Sequence, residues 1–92
     1  MTQPVVSPTI TVTVRYFASI REALGTGSED CATAAPTLGA LRDELIARGG
    51  MHAEVLARGK AVRMAHNQLL SDESARLAAG DEVAFFPPVT GG

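Results

Sequence analysis

The chain has 92 residues, enough for one small domain with a single core. Hydrophobic residues make up 46% and charged residues 20%, as in an ordinary globular domain, which excludes wholesale disorder. The net charge is −2, and no run of Lys and Arg is present to follow a phosphate backbone, so no nucleic-acid partner is expected. The apolar stretches are too short for a membrane helix and no signal-peptide pattern is present, so no membrane partner is expected either.

The cysteine and histidine content argues against metal or thiol chemistry. A single cysteine, Cys31, cannot form an internal disulfide, which fits a reducing, cytoplasmic location. Its acidic neighbours, Glu29 and Asp30, should raise the pKa of the thiol, so Cys31 is predicted to pack in a strand and not to act as a nucleophile. His52 and His66 lack the spacing of a zinc motif, and no metal site is predicted.

The first regular element follows a leader, residues 1–8, which has two prolines and no helical pattern and is expected to be flexible. From Ile10 to Phe17, apolar and polar side chains alternate strictly, with Phe17 on the polar face. This pattern predicts a half-buried strand. The segment Ser19–Glu22 has the spacing of a capping box and predicts the start of a short helix, which Gly25 should end.

A second strand and the main helix are predicted next. Ser28–Thr33 is a weak strand pattern that should pair antiparallel with the first strand. Thr37 is the expected N-cap of a helix over Leu38–Arg48, whose leucines and isoleucine recur at helical spacing. Its polar face is expected to include Arg42. Gly49 is expected to end this helix as a left-handed C-cap.

The C-terminal half contains shorter patterns that complete a recognisable order of elements. They predict a helix at 51–58, strands at 61–65 and 68–70 joined by a turn at His66 and Asn67, a turn at 79–81, and a final strand at 82–86. Strand, strand, helix and three further strands indicate an α+β fold, a ubiquitin-like β-grasp over residues 9–88 in which a mixed sheet wraps around one main helix. Its first and last strands should lie side by side and parallel.

Alternation in the last strand predicts an exposed apolar patch. Val83 and Phe85 should face the core, so that Phe86 points away from it. Phe17, on the neighbouring strand, should point the same way. Two exposed phenylalanines on adjoining strands indicate an interface, although a loop or the leader could instead cover them.

The residues after this strand are typical of a tail that a partner binds. Pro87 and Pro88 hold the chain extended and should aim it away from the domain. Val89 and Thr90 should add side-chain contacts. We expect residues 89–92 to be flexible, and a frayed end without function is the alternative interpretation.

Gly91 and Gly92 give the tail its predicted chemistry. Without side chains they can enter a narrow passage and present the carboxylate of Gly92 with an open carbonyl carbon. A carboxylate must be activated before a nucleophile can attack it, and ATP can do so through an acyl-adenylate. The chain has no phosphate-binding glycine motif, so we expect it to bind no cofactor and a partner enzyme to use the ATP.

Three segments, residues 14–22, 67–70 and 80–92, resemble the small-subunit family of molybdopterin synthase. The last is the most specific, whereas residues 63–66 depart from the smoother apolar strand of that family. The resemblance implies a non-catalytic sulfur carrier, and it adds Leu70 to the predicted partner contacts. An E1-like adenylyltransferase would adenylate Gly92, and a persulfide sulfurtransferase would convert it to a thiocarboxylate. Within the large synthase subunit the tail would then donate sulfur to cyclic pyranopterin monophosphate.

Two other functions fit a terminal Gly-Gly. One is a sulfur carrier for the thiazole of thiamine, whose members are usually shorter and lack the Phe-Phe-Pro-Pro sequence. The other is a ubiquitin-like protein modifier, whose carboxylate forms isopeptide bonds with lysines. A thiocarboxylate identifies a carrier, and a covalent protein adduct identifies a modifier.

Overall fold

The sheet and helices are described by a computed structural model for residues 9–88; the predicted leader, 1–8, and the predicted tail, 89–92, lie outside the described residues. The elements are β1 (Ile10–Tyr16), α1 (Ala18–Leu24), β2 (Ser28–Thr33), α2 (Leu38–Ala47), α3 (Gly50–Val55), β3 (Arg63–His66), β4 (Leu69–Ser71) and β5 (Glu82–Phe86). The five strands form one sheet in the order β2-β1-β5-β3-β4. Only β1 and β5 are parallel among these neighbours, so the predicted mixed sheet of a β-grasp is confirmed.

The alternation of β1 places its apolar side chains in the core. Val12, Val14 and Tyr16 are buried, whereas Thr11 and Arg15 are exposed on the opposite face. The same rule operates in β5, where Val83 and Phe85 are fully buried. Because β1 and β5 are adjacent and in register, their buried side chains form a continuous inner face.

The helix α2 covers this inner face. Leu38, Leu41 and Leu45 are at most 1% exposed and belong to the same core as the buried strand residues. As predicted, Thr37 is the N-cap, and its hydroxyl accepts a hydrogen bond from the backbone N–H of Ala40 at 3.2 Å. One amphipathic helix therefore closes one side of the sheet.

The predicted capping box at Ser19 is wrong. The helix α1 begins at Ala18 directly after the strand, its N-cap is Phe17, and no side chain caps it. The carbonyl of Phe17 accepts hydrogen bonds from the N–H groups of Ile20 and Arg21, so backbone geometry alone starts the helix. Its end is as predicted, because Gly25 has φ 75° in the left-handed region and its N–H bonds to the carbonyl of Arg21.

Arg42 does not lie on an exposed polar face of α2, as was predicted. It is 4% exposed, and its guanidinium donates hydrogen bonds of 2.8 Å to the carbonyl oxygens of Leu56 and Ala57. These carbonyls end α3, which has only six residues and packs on α2. Arg42 is buried because the last turn of this short helix needs donors for its free carbonyls.

Two turns differ in detail from the predictions. Gly49 has a positive φ of 77°, but its ψ of −167° is extended, so it leads straight into α3 and does not form a left-handed cap. The hairpin of β3 and β4 turns at Asn67 and Gln68, both with positive φ, and not at His66 and Asn67. Two positive-φ residues match the right-handed twist of a hairpin.

A polar cluster on the inner side is centred on Glu29. Its carboxylate accepts hydrogen bonds from the Tyr16 hydroxyl at 2.9 Å and from Arg48 at 2.6 Å, with the Cys31 thiol at 3.4 Å. Burial opposes ionisation of Glu29, but these three hydrogen bonds outweigh it and lower the pKa to about 2. His52 Nε2 lies 3.5 Å from the same carboxylate. The cluster joins β1 and β2 to the end of α2.

We expect Phe85→Ala to lower the free energy of unfolding by about 3–5 kcal/mol, because it leaves a cavity in a fully buried site. Phe86→Ala, on the other face and half-buried, should cost on the order of 1 kcal/mol. Urea or thermal unfolding of both variants measures the contrast. The reverse order would contradict the assigned register, because a slip of one residue exchanges the two faces.

We expect Glu29→Gln to lower the free energy of unfolding at neutral pH by about 1–2 kcal/mol, through loss of a hydrogen-bonded charge. A carboxyl whose pKa is depressed from 4.5 to about 2 contributes stability above the unfolded pKa and loses it as pH falls through that interval. The difference from the wild type should therefore shrink between pH 5 and pH 2, within about one pH unit of those limits. Asp30→Asn, at an exposed carboxyl on the same strand, is the control. A pH-independent cost of Glu29→Gln would refute the assignment.

Candidate functional site

The outer face of the sheet carries a row of side chains that spans four strands. Arg15 pairs with Ala84, Ala84 with Ala65, and Ala65 with Leu70. Residues paired in register project to the same side of a sheet. Leu70, which resemblance alone had suggested as a contact, therefore lies on the same face as the predicted phenylalanine patch.

Phe17 and Phe86 lie next to this row, at the end where β1 and β5 both stop. Phe17 is 39% exposed and follows β1 directly; its N–H donates a hydrogen bond of 3.2 Å to the carbonyl of Phe85. Phe86 is half-buried, and both rings line one shallow groove with Ala65 and Ala84. The predicted apolar patch is thus present within the described residues. Phe86 points away from the core, as predicted, but its ring is only partly exposed.

Charged side chains border the apolar patch. The guanidinium of Arg15 lies over the Phe17 ring, 5.4 Å from its centroid, and 3.8 Å from the carboxylate of Glu82. Arg63 pairs with Phe86 across β3 and β5 and is exposed. An apolar centre with a polar rim has the composition of a protein–protein interface.

The last strand of the sheet ends at the edge of this patch. β5 ends at Phe86, and Pro87 and Pro88 follow without a backbone N–H to extend the sheet. Pro88 is half-buried and lines a groove together with Leu70 and Arg63. The predicted contact residues Val89 and Thr90 and the predicted reacting residues Gly91 and Gly92 lie outside the described residues.

Within residues 9–88, the patch contains neither a cysteine nor a cluster of metal-binding side chains. Cys31 is 4% exposed on the inner side of the sheet, and burial, followed by the charge of Glu29, raises the pKa of its thiol, which agrees with the predicted packed strand residue. In residues 9–88, no group of three His, Cys, Asp or Glu side chains is placed to hold a metal ion. The same stretch contains no helix long and apolar enough to cross a membrane. The described part of the site is therefore an apolar surface with a charged border.

Sequence reasoning missed several members of the patch. Ala65, Ala84 and Gln68 line it. Small side chains carry little signal by themselves. Pairing the alternation of β3, β4 and β5 in register would have found the two alanines.

Several known proteins are similar to this chain over most of its length. The molybdopterin synthase sulfur carrier subunit of Escherichia coli is 44% identical over 81 residues, which cover 88% of this chain and 99% of that protein. A solved protein–protein complex of subunits 1 and 2 of molybdopterin-converting factor from Helicobacter pylori contains a similar chain, with a TM-score of 0.61 and 31% identity over 90% of this chain and 100% of that one. SAMP1 from Haloferax volcanii has a TM-score of 0.71 and 25% identity over 89% of this chain and 99% of its own.

The family match itself begins within β1 and extends beyond the described residues. It covers residues 14–92, which include the outer-face patch, the diproline and the Gly-Gly sequence. The chain belongs to the ThiS family.

Proposed function

We propose that this chain is the sulfur carrier subunit of a molybdopterin synthase. One observation carries the proposal: the apolar patch of the outer face adjoins the end of β5, and Pro87 and Pro88 there are followed in the sequence by Gly91 and Gly92 after two residues. A partner that covers the patch would receive the tail at a fixed place. The identity of 44% with a curated sulfur carrier subunit of that enzyme supports the same function.

The length of the tail sets where its chemistry would occur. Four residues follow Pro88, and a fully extended chain of that length spans at most about 14 Å. The carbonyl carbon of Gly92 would therefore react within that distance of the patch. Docking by Phe17, Leu70 and Phe86 would position the reacting atom without a catalytic group from this chain.

The chemistry proposed for Gly92 has three steps. ATP, held by an E1-like adenylyltransferase, would convert the carboxylate to an acyl-adenylate with release of pyrophosphate. The outer sulfur of a persulfide on a sulfurtransferase would then attack the acyl carbon as AMP departs, and a thiol would cleave the resulting acyl disulfide, which releases the thiocarboxylate and leaves the thiol oxidised in a disulfide. This anion would transfer its sulfur to cyclic pyranopterin monophosphate, with acid–base groups supplied by the large subunit. The carrier would be a non-catalytic donor that binds no cofactor of its own.

The partners follow from this scheme. The H. pylori complex joins two subunits of molybdopterin-converting factor, which supports a large synthase subunit as the partner of the apolar patch. The adenylyltransferase and the persulfide sulfurtransferase complete the set. We place the reaction in the cytoplasm, since the lone Cys31 forms no disulfide and suits a reducing compartment.

A protein modifier is the second candidate. The likeness to SAMP1, a small archaeal modifier protein, favours it. The identity to SAMP1 is 25%, however, against 44% to the curated sulfur carrier. Activation of Gly92 by an E1-like enzyme is common to both functions, and the acceptor, sulfur or a lysine amine, distinguishes them.

We expect incubation with ATP, the activating enzyme and a sulfur donor to replace one oxygen of Gly92 by sulfur. Intact-mass analysis measures this change, and a fragment spectrum assigns it to the last residue. A variant that lacks Gly92 is the control and should stay unmodified. A covalent adduct to lysine in place of the sulfur product would indicate the modifier, and an unchanged mass with a demonstrably active enzyme would contradict both functions.

We expect Phe86→Ala to weaken binding to the large subunit by about 2 kcal/mol or more, as truncation of a central interface aromatic does. A calorimetric or fluorescence titration measures the affinity. Leu69→Ala is the matched control, because Leu69 is 72% exposed but pairs with His66, so that its side chain projects from β4 on the face opposite to Leu70. Equal losses in both variants, or a loss only in the control, would place the interface elsewhere.

A further inference from the structure

We infer that Arg63 is a specificity-determining contact of the apolar patch and that the large subunit presents a carboxylate to it. The inference rests on the proposed function, since it concerns the partner that covers Phe86. It specifies that this partner carries a negative charge next to the pocket that receives the Phe86 ring.

The position of Arg63 makes it part of any interface that includes Phe86. It is the first residue of β3 and pairs with Phe86, the last residue of β5, in the antiparallel register. Paired side chains lie on the same face, and Arg63 also lines the groove that contains Leu70 and Pro88. A protein that covers these apolar side chains would therefore also cover Arg63.

Arg63 has no partner of its own within residues 9–88. It is exposed, and in this part of the chain its guanidinium makes neither a hydrogen bond nor an ion pair. Arg15, the other arginine of the outer face, differs because it already contacts Glu82 and the Phe17 ring. Arg63 thus presents five unused N–H donors next to Phe86.

The other charged residue of the same groove does not neutralise Arg63. Asp72 lines the groove, but its carboxylate accepts hydrogen bonds from Ser74 and forms no ion pair with Arg63. Those two hydrogen bonds also lower the pKa of Asp72, so its carboxylate stays ionised and remains hydrogen-bonded to Ser74. The positive charge is therefore left for the partner to match.

The chemistry of the guanidinium selects the matching group. Covering an unpaired cation with protein is strongly unfavourable, because the charge loses its water without gaining an acceptor. The planar fork of an arginine fits the two oxygens of a carboxylate, which supply both charge and paired acceptors. An Asp or Glu beside the pocket for Phe86 satisfies both requirements, and a partner lacking one would be rejected.

The test is a binding titration of the purified large subunit against the wild type, Arg63→Gln, Arg63→Lys and Arg63→Glu. We expect Arg63→Gln to raise Kd by at least about tenfold, Arg63→Lys to recover only part of the affinity, and Arg63→Glu to lose the most. The effect of Arg63→Glu should shrink as salt rises from about 0.05 to 0.5 M. Arg76→Gln is the matched control. Arg76 is an exposed arginine outside the five-stranded sheet, where its backbone forms an isolated β-bridge with Thr37.

Two further measurements make the outcome decisive. Melting curves should be nearly unchanged in the Arg63 variants, because the side chain is exposed and makes no hydrogen bond or ion pair within residues 9–88 that the substitutions could remove. Asp→Lys or Glu→Lys substitutions in the large subunit should include one that restores binding of Arg63→Glu. Wild-type affinity of Arg63→Gln together with weak binding of Phe86→Ala would overturn the inference and leave the proposed function intact. Wild-type affinity of both variants would remove the docking surface itself.

Discussion

The parallel pairing of β1 with β5 is the constraint on which the rest of the molecule depends. It joins the two ends of the described chain, so that Tyr16 lies beside Phe85 on the inner face and Phe17 follows next to the end of β5. A parallel pair needs a long crossover, and α1, β2, α2, α3 and the β3–β4 hairpin make up that connection. The core under α2 and the apolar patch on the other side both result from this one pairing.

The two faces of the sheet differ in how far their side chains are buried. On the inner face, Val14, Val83 and Phe85 are fully buried beneath α2, and the Glu29 cluster fastens β2 to the helices. On the outer face the patch of Phe17 and Phe86 is only partly covered. Because successive strand residues alternate between faces, Phe85 and Phe86 differ in burial although they are neighbours in β5.

Much of this fold was predictable because strands and caps depend on local rules. The alternation of residues 10–17 and the N-cap at Thr37 involve only neighbours in sequence, and both predictions are confirmed. The order of elements then indicated the β-grasp. One prediction failed because a distant group decides the outcome. Arg42 is buried because carbonyls at the end of α3 attract it, and no pattern within α2 reveals that demand.

The candidate site was predicted in part for the same reason. Phe17 and Phe86 follow from alternation, whereas Ala65 and Ala84 become visible only when β3 is placed beside β5 in register. The capping box at Ser19 misled because a strand that ends at Tyr16 can start a helix through its own backbone. The tail predictions for residues 89–92 depend on sequence and family alone.

The diproline after β5 has a consequence for how the sheet ends. The backbone of Val62, just before β3, lies where an antiparallel ladder would continue past Arg63 and Phe86. Pro87 and Pro88 offer no N–H to such a ladder, so the sheet cannot lengthen along its own last strand. If residues 87 and 88 had backbone N–H groups, β5 could continue as a strand and pair with the residues just before β3. By ending the ladder at Phe86, the two prolines limit the pairing of β5 with β3 to the four residue pairs that precede them.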